Sequence, residues 1–384
     1  EQKILRDDFL LSKHIQYDDE SDWYMDYPDD ATVIERFHNQ GILTKPQIHE
    51  AMENTNTFLD VEEYNNEIFN HEFKIPSLYP NNTQEEKNKI LQNLIWQQWE
   101  LEKPNVAQNR LHTYEEEIQK ELDVIIETGM ADYFLLDYEV IKKGKEMGGF
   151  ITMTGRGSAP SYFTSKLLGL TTIDRIAATV KLFPERFITK ERILKAKNLP
   201  DIDLNLGNPE VFAKAQEEVI GLDHSYPMLA FGTLRPKAAW KLYARAKNVP
   251  FEVANTVSEQ IETFEMKTKH QEEDEVVDVR DFVDKEYVQM LEESEQYLGI
   301  VSDWKIHPCA YLLYDKSIAE NIGLIKIKNH LCCLMDGIWS EKYGCLKNDL
   351  LKVSVVELIY RVYQRIGIKP HTIPELIKLC KDDP

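Results

Sequence analysis

The stretch Leu199-Pro200-Asp201-Ile202-Asp203-Leu204-Asn205-Leu206 alternates polar and apolar residues from Asp201 to its end. Successive side chains of a strand point to opposite faces, so the pattern predicts a strand with Ile202, Leu204 and Leu206 in a core and Asp201, Asp203 and Asn205 opposite. Aspartate is disfavoured in strands, and residues two apart on one face sit only about 7 Å from each other along the backbone. Carboxylates held that close need a counter-charge, which hard divalent cations gripped by both would supply. The plainer reading is a pair of solvated carboxylates on a half-exposed strand.

Two other islands favour the cation. The apolar run Phe150-Ile151-Thr152-Met153-Thr154 reads as a buried strand entering the loop Gly155-Arg156-Gly157-Ser158, after which Ser158 is expected to cap a helix, Pro160 to sit in its first turn and Gly169 to stop it. Glycines in such a turn expose backbone N–H groups to a phosphate, and Arg156 adds a guanidinium fork. Alone, a turn of this composition is more often structural. In Leu346-Lys347-Asn348-Asp349-Leu350, alternation puts Lys347 and Asp349 on one face. Asp349 would complete a cage with Asp201 and Asp203, so the three islands together read as a nucleotidyl-transfer site.

The chain has 384 residues, 42% of them apolar, which is enough for a large core and two or three domains. Its net charge of −21 argues against indiscriminate nucleic-acid binding. Basic residues nevertheless cluster between Lys181 and Lys197 and again after Phe231, at Arg235, Lys237, Lys241, Arg245 and Lys247. The five cysteines form no CxxC pair, and no run has the roughly 20 apolar residues of a membrane span. Free thiols, a cytoplasmic location and no membrane partner are expected. The start at Glu1 suggests a piece of something longer.

Helical spacing runs from Ile34 to Asn54, recurs at Ile118, Leu122, Ile125 and Ile126, and continues from Asp132 to Lys145 before Gly148-Gly149. Asn208-Pro209 opens a helix with Val211, Phe212, Ala215 and Val219 inward, closed by Gly221. Helical character follows from Pro236 to Tyr297 around a charged linker at Lys267 to Val277. Strands are expected at Ala310 to Leu313 and Leu346 to Leu351, then an amphipathic helix from Val353 to Arg365. His307, with no partner at ligand spacing, reads as a hydrogen-bonded structural histidine, and Cys332-Cys333 as packed rather than reactive.

These islands, in this order, resemble the C family of DNA polymerases, whose type is the catalytic subunit of bacterial DNA polymerase III. Gly155 to Ser158 is similar to the family's GRGS loop, Pro200 to Asn205 to its PDIDID-like strand, and Lys347-Asn348-Asp349-Leu350 to its Lys-Phe-Asp-Phe strand. Gly129 to Leu135 is similar to its GFxGYFL, Glu185-Arg186-Phe187 to its ERF, Phe231-Gly232-Thr233 to its FGT, and Ile306-His307 to the start of its HAxG. The resemblance implies an α+β fold: a polymerase-β-like nucleotidyltransferase palm, a mixed sheet with helices, carrying an inserted helical thumb. On that reading residues 1–65 are the tail of a preceding domain, 66–230 and 301–353 the palm, 231–300 the thumb, and 354–384 the start of the fingers.

It also implies that Asp201, Asp203 and Asp349 bind two Mg²⁺ ions, with Mn²⁺ as substitute. Gly155, Arg156, Gly157, Ser158 and Lys347 would bind the incoming deoxynucleoside triphosphate, and Lys237, Lys241 and Arg245 the primer-template DNA. Other replisome subunits would join through regions missing here, and the fragment would be weak or inactive without fingers. The sequence departs from the family at Ala159-Pro160-Ser161-Tyr162, at His307-Pro308-Cys309-Ala310 and at Asn205, as a divergent and even phage-borne member would. A non-catalytic replisome scaffold derived from a polymerase is the rival reading. A metal-dependent nuclease is disfavoured, because it has no use for the glycine loop with Lys347.

Overall fold

A computed structural model describes residues 2–17, 24, 26–60, 72–152, 155–268, 277–368, 371 and 379. The chain divides into two compact units. One comprises Glu1–Tyr64 and Phe231–Trp304, the other Asn65–Ala230 and Lys305–Pro384. The fold is mixed α and β. Six strands, β1 (Asp203–Leu206), β2 (Ser225–Thr233), β3 (Val301–Leu313), β4 (Leu324–Ile327), β5 (His330–Cys333) and β6 (Leu346–Lys352), form a sheet in the order β1-β6-β3-β2-β5-β4. β6 lies parallel to β1 and antiparallel to β3.

In the larger unit, the helices Gln84–Glu102, Leu111–Glu127, Ala131–Glu146 and Pro209–Ile220 pack with β1 and β6 around one apolar core. Thr83 and Glu86 close a reciprocal capping box at the first of them. The expected periodicity appears in the second, which buries Ile118, Leu122 and Ile125. The third spans the expected Asp132 to Lys145, and the fourth buries Phe212 and Ala215 before ending at Gly221. In the smaller unit, the helices Pro236–Ala246 and Phe251–Thr268 form a second core with Trp240, Val257 and Ile261. There the first helix of the chain, Gln2–Ser12, is fastened by Asp8, which accepts hydrogen bonds from Tyr297 Oη and, at 2.8 Å, from Lys247 Nζ.

Several expectations are corrected. The helix read from Ile34 to Asn54 is two, Asp30–Gln40 and Lys45–Asn54, because Gly41 adopts φ 70° and Thr44 opens a new capping box. The strand read from Phe150 to Thr154 reduces to one bridge, Ile151 with Leu206; Met153 and Thr154 lie outside the described residues. Ser158 caps no helix: a short 3₁₀ turn, Ala159–Ser161, follows it, and the helix proper is Phe163–Leu167. Its free amides find Glu121 instead, whose carboxylate accepts from Phe163 N at 2.9 Å and Thr164 N at 2.7 Å. A carboxylate 42 residues away in sequence does the work expected of the local hydroxyl.

Candidate active site

β1 begins at Asp203, so Asp201 and Ile202, expected inside the strand, precede it. The inward set Ile202, Leu204 and Leu206 is buried as the alternation requires. Asn205, expected beside the aspartates on the open face, is buried as well, where Ile151 and Thr152 run alongside β1. Tyr133 Oη donates 2.9 Å to the carbonyl of Pro200 and so fixes the entry to the strand from the core.

Parallel pairing sets Asp203 directly opposite Asp349. Partners in register on adjacent strands project to the same face, about 5 Å apart. Lys347 Nζ sits 3.3 Å from Asp349 Oδ2. Asp349 Oδ1 is buried and receives no hydrogen bond from any described residue. The glycine loop closes on Asp203: Gly157, at φ 66°, lies so near that a Cβ there would stand 2.2 Å from Asp203 Oδ2. A residue with any side chain would displace either the loop or the aspartate.

Charge follows the geometry. Burial, then the repulsion of Asp349 and Asp201, raises the Asp203 pKa above the usual carboxylate value, while Arg156 and Lys347 work against the rise. Burial pulls the Lys347 pKa down, but Asp349 and Asp201 outweigh it and hold the ammonium charged. Asp201, Asp203, Asp349, Arg156 and Lys347 are thus brought into one electrostatic cluster. Two or three carboxylates with a buried, unsatisfied oxygen form an all-oxygen donor set, which fits Mg²⁺ or Mn²⁺. Ser158, next in the chain after Gly157, is half-buried. Lys237, Lys241 and Arg245 lie in the smaller unit, four residues apart along the helix Pro236–Ala246, which also buries Ala239, Trp240, Leu242, Tyr243, Ala244 and Ala246. Lys237 is held by Glu262 at 2.6 Å, whereas Lys241 and Arg245 are exposed.

Sequence reasoning missed two neighbours of the carboxylates. Arg192 lines a cleft with Asp201, Glu341 and Lys347, but in the sequence it is one of a run of basic residues with nothing to single it out. His307 does have partners: its ring, Cys309 Sγ and a carboxylate oxygen of Asp349 all lie within 4.8 Å of one another. The structural role expected of it holds too, since His307 Nδ1 accepts from Ala310 N at 2.8 Å. Burial holds the imidazole pKa below its ordinary value, with Asp349 opposing. Imidazole and thiol two residues apart on a strand were the available signal; Asp349 joins them only through the β3–β6 pairing.

The family described as the bacterial DNA polymerase III alpha NTPase domain matches residues 89–352, a span that begins in the helix Gln84–Glu102 and ends with β6. The chain belongs to this family. Within the DNA polymerase III alpha relatives, it is 25% identical over 261 residues to DNA polymerase III subunit alpha of Streptococcus pyogenes serotype M1, covering 66% of this chain and 24% of that one. The same-named protein of Chlamydia trachomatis serovar D is 27% identical over 282 residues, 70% of this chain and 22% of its own. That of Staphylococcus aureus strain MRSA252 is 25% identical over 355 residues, 88% of this chain and 32% of its own. The chain therefore spans about a quarter to a third of these polymerase III alpha subunits, as a divergent member. Among the described residues no helix is long and apolar enough to cross a membrane.

Proposed function

We propose that the chain is the catalytic core of a DNA-directed DNA polymerase, a nucleotidyltransferase that adds deoxynucleotides to a primer 3′-hydroxyl in the cytoplasm. The observation that carries this reading is the in-register pair Asp203 and Asp349 on neighbouring strands, with Gly157 packed against Asp203. Membership of the polymerase III alpha family supports it. Asp201, Asp203 and Asp349 hold two Mg²⁺ ions, or Mn²⁺ in their place, and bound ions of this kind supply Lewis-acid stabilisation of the attacking and leaving oxygens.

The chain's own residues do the rest. Arg156, Ser158 and the backbone N–H groups of Gly155 and Gly157 cradle the triphosphate of the incoming nucleotide. Lys347, kept charged by Asp349 and Asp201, balances the negative charge that builds as pyrophosphate leaves. Segments 66–230 and 301–353 serve as palm and 231–300 as thumb, whose Lys237, Lys241 and Arg245 grip backbone phosphates of the primer-template without sequence preference. Further replisome subunits assemble with the polymerase through regions outside this chain, and the isolated chain extends primers weakly.

The test is primer extension on a primed template with all four deoxynucleoside triphosphates, using the full polymerase that carries this region. Asp203→Ala should cut extension by about a thousandfold or more, equivalent to about 4 kcal/mol of transition-state stabilisation, with primer-template binding retained. Extension that survives the substitution rejects the metal assignment. A scaffold would show DNA binding in the parent protein with no extension for Asp203→Ala to remove.

A further inference from the structure

The side of Asp349 turned toward β3 carries a second, chemically different donor set. Cys309 Sγ lies 3.8 Å from His307 Nδ1, and the thiol sulfur, a ring nitrogen of His307 and a carboxylate oxygen of Asp349 all lie within 4.8 Å of one another. In a tetrahedral site with Zn–S of about 2.3 Å and Zn–N of about 2.0 Å, sulfur and nitrogen stand about 3.5 Å apart, so this spacing needs little adjustment. Asp349 also has an oxygen to give: Oδ2 faces Lys347, while Oδ1 is buried with no hydrogen bond from any described residue.

We propose that His307, Cys309 and Asp349 form a binding site for a borderline-soft divalent ion of the Zn²⁺ type, sharing Asp349 with the carboxylate pair. Thiolate and imidazole select such ions, whereas carboxylate oxygens alone suit Mg²⁺ and Mn²⁺. Asp349 thus belongs to two donor sets with opposed preferences. Three protein ligands leave one coordination position to water. Metal binding at Nδ1 must take the lone pair that now receives the Ala310 amide, which sets the affinity below that of a preformed four-ligand structural site. An ion here draws Asp349 away from Asp203. That consequence, though not the site itself, rests on the reading of Asp203 and Asp349 as Mg²⁺ ligands.

Titration of the purified chain with Co²⁺, followed by near-ultraviolet absorbance, tests the site without any assay of catalysis. Thiolate-to-cobalt charge transfer should appear, be displaced by Zn²⁺, vanish in Cys309→Ser and persist in Asp203→Ala. His307→Ala should weaken Co²⁺ binding by more than about tenfold. Absence of the band, a band undiminished in Cys309→Ser, or unchanged affinity in His307→Ala overturns the site. In the full polymerase, Zn²⁺ should suppress primer extension over the range in which it displaces Co²⁺. Zn²⁺ bound with extension undiminished overturns the sharing of Asp349.

Discussion

β6 carries charge on one face and a buried polar network on the other, and each face meets a carboxylate under different rules. In front, Asp349 stands beside Lys347 and opposite Asp203, among groups whose charges partly balance. Behind, Asn348 is fully buried and donates 2.9 Å to Oδ1 of Asp137, a residue of the helix Ala131–Glu146 that is itself fully buried. Asn348 also reaches Gln216, which donates to Ser225. Asp137 Oδ2 and Asn348 Oδ1 receive no hydrogen bond from any described residue. Burial, opposed only by the Asn348 amide, pushes the Asp137 pKa up to about 7. Asp349 is placed where a metal cation can satisfy it; Asp137 is placed where burial favours its protonated form.

The comparison breaks first on the front face. Asp349→Ala should reduce primer extension by about a thousandfold or more, the equivalent of about 4 kcal/mol, while leaving the unfolding midpoint within a few degrees. A larger effect on folding than on extension would mean that Asp349 is a structural residue like Asp137.

On the back face the expected signature is a pH slope. A carboxyl whose folded pKa is raised binds its proton more tightly in the native state, so its contribution is fully present below the unfolded value and is lost as pH rises through about 7. Asp137→Asn should therefore match the parent near pH 4 and exceed its stability near pH 8 by on the order of 2–4 kcal/mol. Urea unfolding at a series of pH values checks it, and superimposable pH profiles for the two proteins would remove the buried proton from the account.

Smaller effects sharpen the contrast. Gly157→Ala combines a left-handed backbone with a close approach to Asp203, and should cost about 1–3 kcal/mol of stability together with a larger fractional loss of extension. Unchanged extension would show that the loop is free to move away. Lys347→Ala should raise the KM for nucleotide by about tenfold, the equivalent of about 1.4 kcal/mol, with primer-template affinity unchanged in a filter or anisotropy assay. An equal loss of both would remove Lys347 from the triphosphate.

What the sequence reveals of this arrangement follows the reach of its patterns. The helices Ala131–Glu146 and Pro209–Ile220 and the strand β6 are legible because each repeats its apolar spacing over several turns or pleats. β4 and β5 are only four residues long, too short for periodicity to separate them from loop. Asp203 and Asp349 are recognisable as a pair from alternation and from the family's motifs, yet their register is a product of strand pairing that no local signal encodes. Asn205 and Asp137 escape for the same reason: a polar residue in an apolar neighbourhood shows nothing of its burial until tertiary contacts close over it.

The capping of Phe163–Leu167 by Glu121 also limits how the molecule can be dissected. Arg175 donates to the same carboxylate at 2.7 Å, so one side chain from the helix Leu111–Glu127 anchors two amides and a guanidinium immediately downstream of the glycine turn. A truncated version that starts after Glu121 leaves those donors without their acceptor in an apolar interior, at a cost of about 1–3 kcal/mol for each amide. The minimal autonomous piece of this region therefore includes the helix Leu111–Glu127.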